Sequence, residues 1–369
     1  MASGEPVRTA LYEEHVALDA NIVDFHGFEL PIWYSNITEE HQACRSDAGI
    51  FDVSHMGSFR FKGKGVREWL ESIATQKCTG IEPGRCAYTH FLDHDGFLID
   101  DMIFAVVSEE EILGVPNASM IPVMWKWFNS LIPEDGSIEI EDLSPSTSII
   151  ALQGPNAKQY CDATLGSINH VGRFRWAAIK ENSLGITGWI QGTGYTGESG
   201  YEIFIPNESA SKLWRGLVEA GATPVGLGAR DTLRLEKGYL LSGVDFASPD
   251  LDDNEVLHRD SWETNVPFGL DTDHEFIGRS RVLSHNESDA RLWGVKQLEK
   301  GPLPRGGKAV EDLDGKNIGT LTSGAPAPSL DRTGIGMGYI ANVSPGDEVM
   351  IVASPRKKVR AVITRPPFV

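Results

Sequence analysis

Cysteine is scarce: the chain holds four, Cys44, Cys78, Cys86 and Cys161, scattered and with no C-x-x-C pair among them. Neither a disulfide framework nor a zinc site is expected, no metal is expected, and the implied compartment is reducing and cytoplasmic. Long apolar runs are missing too. None approaches the roughly 18 residues of a membrane span, and Met1-Ala2-Ser3-Gly4-Glu5-Pro6 lacks a charged-then-apolar leader. Positive charge falls short of negative, 33 Lys and Arg against 52 Asp and Glu, for a net charge of −19. A surface this acidic repels phosphate backbones and anionic lipid, so neither a nucleic acid nor a membrane is an expected partner. Two explanations of the acidity stay open: plain solubility, and adaptation to a high-salt cytoplasm where screening weakens self-repulsion. Internal repeats, low-complexity tracts and linkers are absent as well.

What is present describes a globular protein with a real core, 41% apolar and 9% aromatic. At 369 residues it exceeds the roughly 250–300 residues of one hydrophobic core, so two or three domains are expected. Residues 10–19 read as an amphipathic segment, 23–31 as a strand and turn, and 39–47 as a helix stopped at Gly49. Strands are expected at 58–61 and 97–107, helices at 66–74 and 122–131, and a short apolar strand at 149–153 ended by Gly154-Pro155. Asn207 can cap an amphipathic helix carrying Leu213, Trp214, Leu217 and Val218. From about Leu292 onward, short strands with Gly/Pro turns read as a small barrel or sandwich. The fold class is therefore α+β with an all-β terminal domain.

Gly192-Thr193-Gly194-Tyr195-Thr196-Gly197 matches the G-x-G-x-x-G dinucleotide fingerprint. That fingerprint needs a strand before it and a helix after it, where the helix N-terminus meets the pyrophosphate. Residues 184–191 read as a strand, but Tyr201-Glu202-Ile203-Phe204-Ile205-Pro206 alternates and reads as a second strand. The glycines therefore belong to the tip of a hairpin.

Asp100 and Asp101 interrupt an apolar strand pattern, Phe97-Leu98-Ile99 before and Met102-Ile103-Phe104 after. Side chains alternate along a strand, so the two point to opposite faces and cannot act as a glycosidase-type pair on one bond. Each either caps backbone amides or serves chemistry, and a carboxylate among apolar neighbours needs a specific partner. Asp52, Ser54 and His55 lie too close in sequence to be assumed a triad, which is recognised by geometry. Arg230 and Arg234 fall four apart after the Gly226-Leu227-Gly228 turn, hence on one helix face. They suit either an ion-pair net or planar, bidentate recognition.

Several strings, in order along essentially the whole chain, resemble the T-protein (aminomethyltransferase) family of the glycine cleavage system. They include Asp24-Phe25-His26-Gly27, Gly49 to Gly57, Leu98-Ile99-Asp100-Asp101, Asn117-Ala118-Ser119, Leu152-Gln153-Gly154-Pro155, the glycine hairpin, Gly226 to Glu236, Thr322-Ser323-Gly324 and Pro367-Phe368-Val369. The resemblance implies a three-domain cloverleaf around a central folate cavity, closed by a C-terminal β-barrel-like domain. The implied domains are 1–50 with 146–285 for folate, 51–145 carrying Asp101, and 286–369. The implied activity moves a methylene unit from an aminomethyl group on a lipoylated carrier, the H-protein, to tetrahydrofolate, with loss of ammonia. By the same resemblance Asp101 is the catalytic carboxylate beside the reacting folate nitrogens. Glu202 is the pterin anchor, Arg230 a pterin contact, and Tyr88, Tyr195, Tyr239, Met56 and Asn117 belong with the folate cavity. Arg305 is implied at the cavity mouth, towards the substrate.

Two departures from the family pattern stand out. Val123 and Met124 replace a Lys-Asp pair, and after Gly243-Val244-Asp245 an acidic stretch, Ser248 to Arg259, replaces a shorter segment. An altered segment of this kind is where substrate choice changes. The alternative expectation is a tetrahydrofolate-dependent demethylase of a small methylated sulfonium or amine. A non-catalytic iron–sulfur-repair relative is disfavoured, because its Lys-Gly-Cys-Tyr string is Gly192-Thr193-Gly194-Tyr195 in this chain.

Overall fold

Residues 5–166, 171–179 and 181–369 are described by the computed structural model; Met1 to Gly4 of the N-terminal segment discussed above lie outside them. The chain folds as two compact units. The first comprises Met1–Trp69, Thr79–Ala87 and Met102–Asp231, and the second Leu70–Cys78, Tyr88–Asp101 and Thr232–Val369.

The first unit is built on a six-stranded sheet with the order Trp176–Ala178, Trp189–Gln191, Gly200–Pro206, Thr147–Gln153, Gly49–Asp52, Thr223–Pro224. Register explains which side chains are buried together. Ile50, Leu152 and Tyr201 form one row across the sheet, and Asp52, Ile150, Ile203 and Ile190 form the next row on the same face. Helices Ala157–Leu165 and Ala210–Ala220 cover this face. Their buried positions, Ala157, Cys161, Leu165 and Ala210, Leu213, Trp214, Leu217, recur at helical spacing and form one apolar stripe each. Full burial of a Leu or Ile here contributes about 1.5–3 kcal/mol. The intervening row, Phe51, Ala151, Glu202, Gln191 and Trp176, points to the opposite face. A second set of strands, Met102 to Ser108, Glu111–Pro116, Phe59–Gly63 and Ile138–Asp142, pairs antiparallel in that order.

Several expectations shift at element ends. Of residues 184–191 only Trp189–Gln191 forms a strand, because the Asn182 side chain bonds Leu184 N, Ile186 N and Ile186 O and makes a turn there. Asn207 does not cap its helix; its amide bridges Ser148 Oγ and Pro145 O at 2.9 Å each. The expected helix at 39–47 is Ile37–Ser46, with Asn36 Oδ1 accepting from Glu39 N at 2.9 Å as the N-cap.

In the second unit six strands close into a barrel, ordered Arg291–Gln297, Thr333–Ile340, Asn317–Ala327, Ala309–Glu311, Glu348–Ser354, Lys357–Thr364. Closure leaves no open edge. Val295, Val310, Leu321, Ile340, Val349, Ile351, Ala361 and Ile363 fill it. A separate cluster joins Leu92 and Leu98 to Leu235, Phe246, Phe276 and Met337. The ion pair Arg234 Nη1–Asp245 Oδ2, 2.6 Å and fully buried, lies beside it. Asp245 also accepts from Thr322 Oγ1 and Ser323 Oγ, so its charge is fully matched. Arg234 thus takes Asp245 as its partner, as a structural pair. Among the described residues no helix is long and apolar enough to cross a membrane.

Candidate active site

In the first unit the glycine hairpin joins Trp189–Gln191 to Gly200–Pro206, which confirms the two-strand reading and removes the dinucleotide one. The loop between them is held by one buried amide. Gln153 Nε2 donates to Thr193 O at 3.0 Å and Tyr201 O at 3.3 Å, and its Oε1 accepts from Thr196 Oγ1 at 3.0 Å. Gly194 is required for this: a Cβ there would sit 1.9 Å from Gln153 Oε1. Arg45 Nη1 clamps the loop from outside, donating to Thr196 O at 2.7 Å and Glu198 Oε1 at 2.9 Å. The loop delivers Thr193 Oγ1 to Glu202 Oε2 at 2.6 Å, which fixes that carboxylate.

Arg230, in helix Leu227–Lys237, stacks its guanidinium 4.9 Å from the Tyr195 ring centre and 6.0 Å from that of Phe51. Burial lowers its pKa, opposed by the charges of Glu202 and Tyr195, and it stays a cation. Glu202, Tyr195 and Arg230 are therefore brought together. Among the described residues, polar atoms around them lack protein partners although buried: Arg230 Nη1, His55 Nδ1 and both amide atoms of Gln191. Gln191 lies directly across the ladder from Glu202. His55, enclosed by Phe25 and Phe28, is pushed down to about 3 by burial and then by the charge of Arg230, so it is neutral. Met56 and Asn117 are both half-buried on adjoining turns, tied by Gly57 N donating to Pro116 O at 2.9 Å.

Asp52 and His55 form no triad with Ser54. Asp52 is fully buried and accepts from Thr9 Oγ1 at 2.7 Å, His15 Nε2 at 2.9 Å and Ser54 N at 2.9 Å. Burial alone would raise its pKa, but the bonds from these groups, His15 first, hold it below the usual range.

In the second unit Asp100 is fully buried and Asp101 half-buried, on opposite sides of strand Leu98–Ser108, as alternation requires. Tyr88 Oη donates to Asp101 Oδ2 at 2.6 Å. Its ring packs at 5.3 Å on Phe268. Tyr239 is half-buried just after helix Leu227–Lys237, with its backbone clamped to Arg234 by bonds of 2.9 and 3.0 Å. Arg305 is exposed, in a turn closed by Lys308 N. Of the departures, Met124 is buried in helix Ile121–Leu131. The acidic stretch ends in a turn where Asp260, Glu263 and His285 gather ligand-type atoms within 4.8 Å. Arg259 and Arg281 already pair these carboxylates, and Asp260 Oδ1 accepts from Trp262 N and Glu263 N. The cluster suits a closed ion-pair turn better than a cation.

Sequence reasoning missed Gln153, Arg45, Thr193 and His90. A glutamine in the apolar run Ile149-Ile150-Ala151-Leu152 was a signal for the first, since a buried amide demands backbone partners.

Two family models cover the chain: the GCVT N-terminal domain over residues 11–252 and the glycine cleavage T-protein C-terminal barrel domain over residues 291–369. The aminomethyltransferase of Halothermothrix orenii is 36% identical over 97% of this chain and 99% of that protein. That of Chloroherpeton thalassium is 35% identical over 98% of each. The crystal structure of aminomethyltransferase T of the Bartonella henselae glycine cleavage system superposes with a TM-score of 0.86 at 26% identity, covering 98% of both chains. These relatives do not favour the demethylase alternative. On its two matching domains, its relatives and its α+β fold with a closed barrel, the chain belongs to the glycine cleavage T-protein family, the aminomethyltransferases.

Proposed function

We propose that this chain transfers a methylene unit from an aminomethyl group on the lipoyl arm of the H-protein to tetrahydrofolate, with release of ammonia. Two C–N bonds to the folate nitrogens form while the bonds from carbon to ammonia nitrogen and to lipoyl sulfur break. The two N–H protons lost by the folate leave with ammonia and the thiol.

The observation that carries this reading is the Glu202–Arg230 arrangement. Glu202 is a carboxylate fixed by Thr193, and Arg230 is a stacked cation whose Nη1 has no partner among the described residues. A pterin's ring N–H and exocyclic amine suit a bidentate carboxylate, and its carbonyl suits a guanidinium donor. Tyr195 supplies a flat aromatic wall; Tyr88, Tyr239, Met56 and Asn117 are proposed to line the folate, and Arg305 to meet substrate. Asp101 is the proposed catalytic residue, orienting the attacking amine and stabilising positive charge as ammonia leaves. The domains proposed are 1–50 with 146–285, 51–145 and 286–369.

Titration of the protein with tetrahydrofolate tests the reading. Binding is expected in the wild type and weakened in Glu202→Ala; absence of binding to the wild type would sink the reading.

A further inference from the structure

Three side chains stand in line behind Asp101. Ser261 Oγ lies 2.9 Å from His90 Nδ1, His90 Nε2 lies 2.9 Å from Tyr88 Oη, and Tyr88 Oη lies 2.6 Å from Asp101 Oδ2. His90 and Ser261 are buried. An ionised carboxylate only accepts, so Tyr88 spends its one proton on Asp101. The Tyr88 oxygen must then accept from His90, so Nε2 carries the imidazole proton. Nδ1 is left as an acceptor and takes the Ser261 hydroxyl proton. Every bond in the line donates towards Asp101, and such chains polarise one another cooperatively.

We infer that His90 is a positioning residue for the reaction, with Ser261 behind it, holding Tyr88 as a one-way donor so that Asp101 stays ionised and aimed. Burial pushes His90 down to about 3, so it holds a single N–H and cannot reverse the line by protonation. Ser261 is itself fixed by the turn that ends the acidic stretch. Asp260 N donates to Glu263 Oε2 at 3.0 Å, Arg259 Nη1 pairs with Glu263 at 2.7 Å, and Arg281 and His285 hold Asp260 at 3.2 and 2.5 Å. Arg259 O also accepts from Leu98 N at 2.7 Å, tying this turn to the strand that carries Asp101. Arg259, the last residue of the stretch in which this chain departs from its family, thus ties the turn that follows it to the strand of the proposed catalytic carboxylate.

The inference rests on the reading of Asp101 as the reacting carboxylate, and the experiment separates the two. The kcat–pH profile of the full-length protein is recorded for the wild type, Asp101→Asn, His90→Leu, His90→Gln and Ser261→Ala, alongside tetrahydrofolate affinity. His90→Leu is expected to lower kcat by up to about tenfold, the equivalent of one neutral hydrogen bond. Its acid limb should move to higher pH, because a weaker Tyr88 donor lets Asp101 take up a proton sooner, and folate affinity should hold. Gln offers an N–H near the position of Nε2 and should recover most of the loss; Ser261→Ala should move the limb in the same direction by less. A folded His90→Leu with the wild-type kcat and acid limb overturns the inference. If that variant does not fold, an unmoved limb in Ser261→Ala overturns it. Full activity in Asp101→Asn overturns the underlying reading instead.

Discussion

Asp101 and Glu202 are both half-buried carboxylates on strands, yet their surroundings suit different tasks. Glu202 is fixed by Thr193 and grouped with a cation, which suits recognition; Asp101 is fed by Tyr88, which suits charge stabilisation. Asp101→Asn is expected to fold and to bind tetrahydrofolate while turnover falls by at least about 10²-fold, the scale of a positioned charge. Steady-state kinetics beside calorimetry checks this split. Glu202→Ala should instead lose about 1.5–3 kcal/mol of folate binding, roughly ten- to hundredfold in Kd, because the pterin donors lose a charged acceptor. The placement of these side chains was legible in residue order, because strand alternation alone separates Asp100 from Asp101 and the family resemblance singles out Glu202 and Arg230, which the fold brings together. The supporting His90 was not, because its partner Ser261 lies far along the chain and no local pattern pairs them.

Among the elements, the hairpin shows why a motif needs its flanks. Its glycines serve close packing: Gly194 leaves room for the Gln153 amide that holds both sides of the loop. Gly194→Ala should displace that amide, lower stability by about 1–3 kcal/mol and weaken folate binding as Thr193 and Tyr195 shift; thermal melts and folate titration measure both. The misjudged elements share one cause. Asn182 and Asn207 spend their side chains on backbone and hydroxyl partners that come together only on folding. One strand was shortened and one cap reassigned, while the apolar periodicity that set the helices and the barrel held.

At the scale of the whole molecule, two buried neutral histidines link stability to pH. His55 and His90 are each pushed from 6.5 to about 3, chiefly by burial. The unfolded chain takes up protons on them below about 6.5 while the folded chain does not, so stability is full above that pH and is lost as pH falls towards 3. Chemical-denaturant midpoints should therefore drop across that window, and less steeply in His90→Gln. The net charge of −19 adds a salt prediction. If the acidity is an adaptation to salt, stability and activity rise towards molar salt; equal behaviour at low and molar salt leaves solubility as its explanation. The central claim is carrier-dependent one-carbon transfer, and it is tested most directly by ammonia release from aminomethyl-loaded H-protein with and without tetrahydrofolate. The account predicts release that requires both the carrier and the folate and yields methylene-tetrahydrofolate; methyl-tetrahydrofolate made from a free small donor, with the loaded carrier inert, would contradict it.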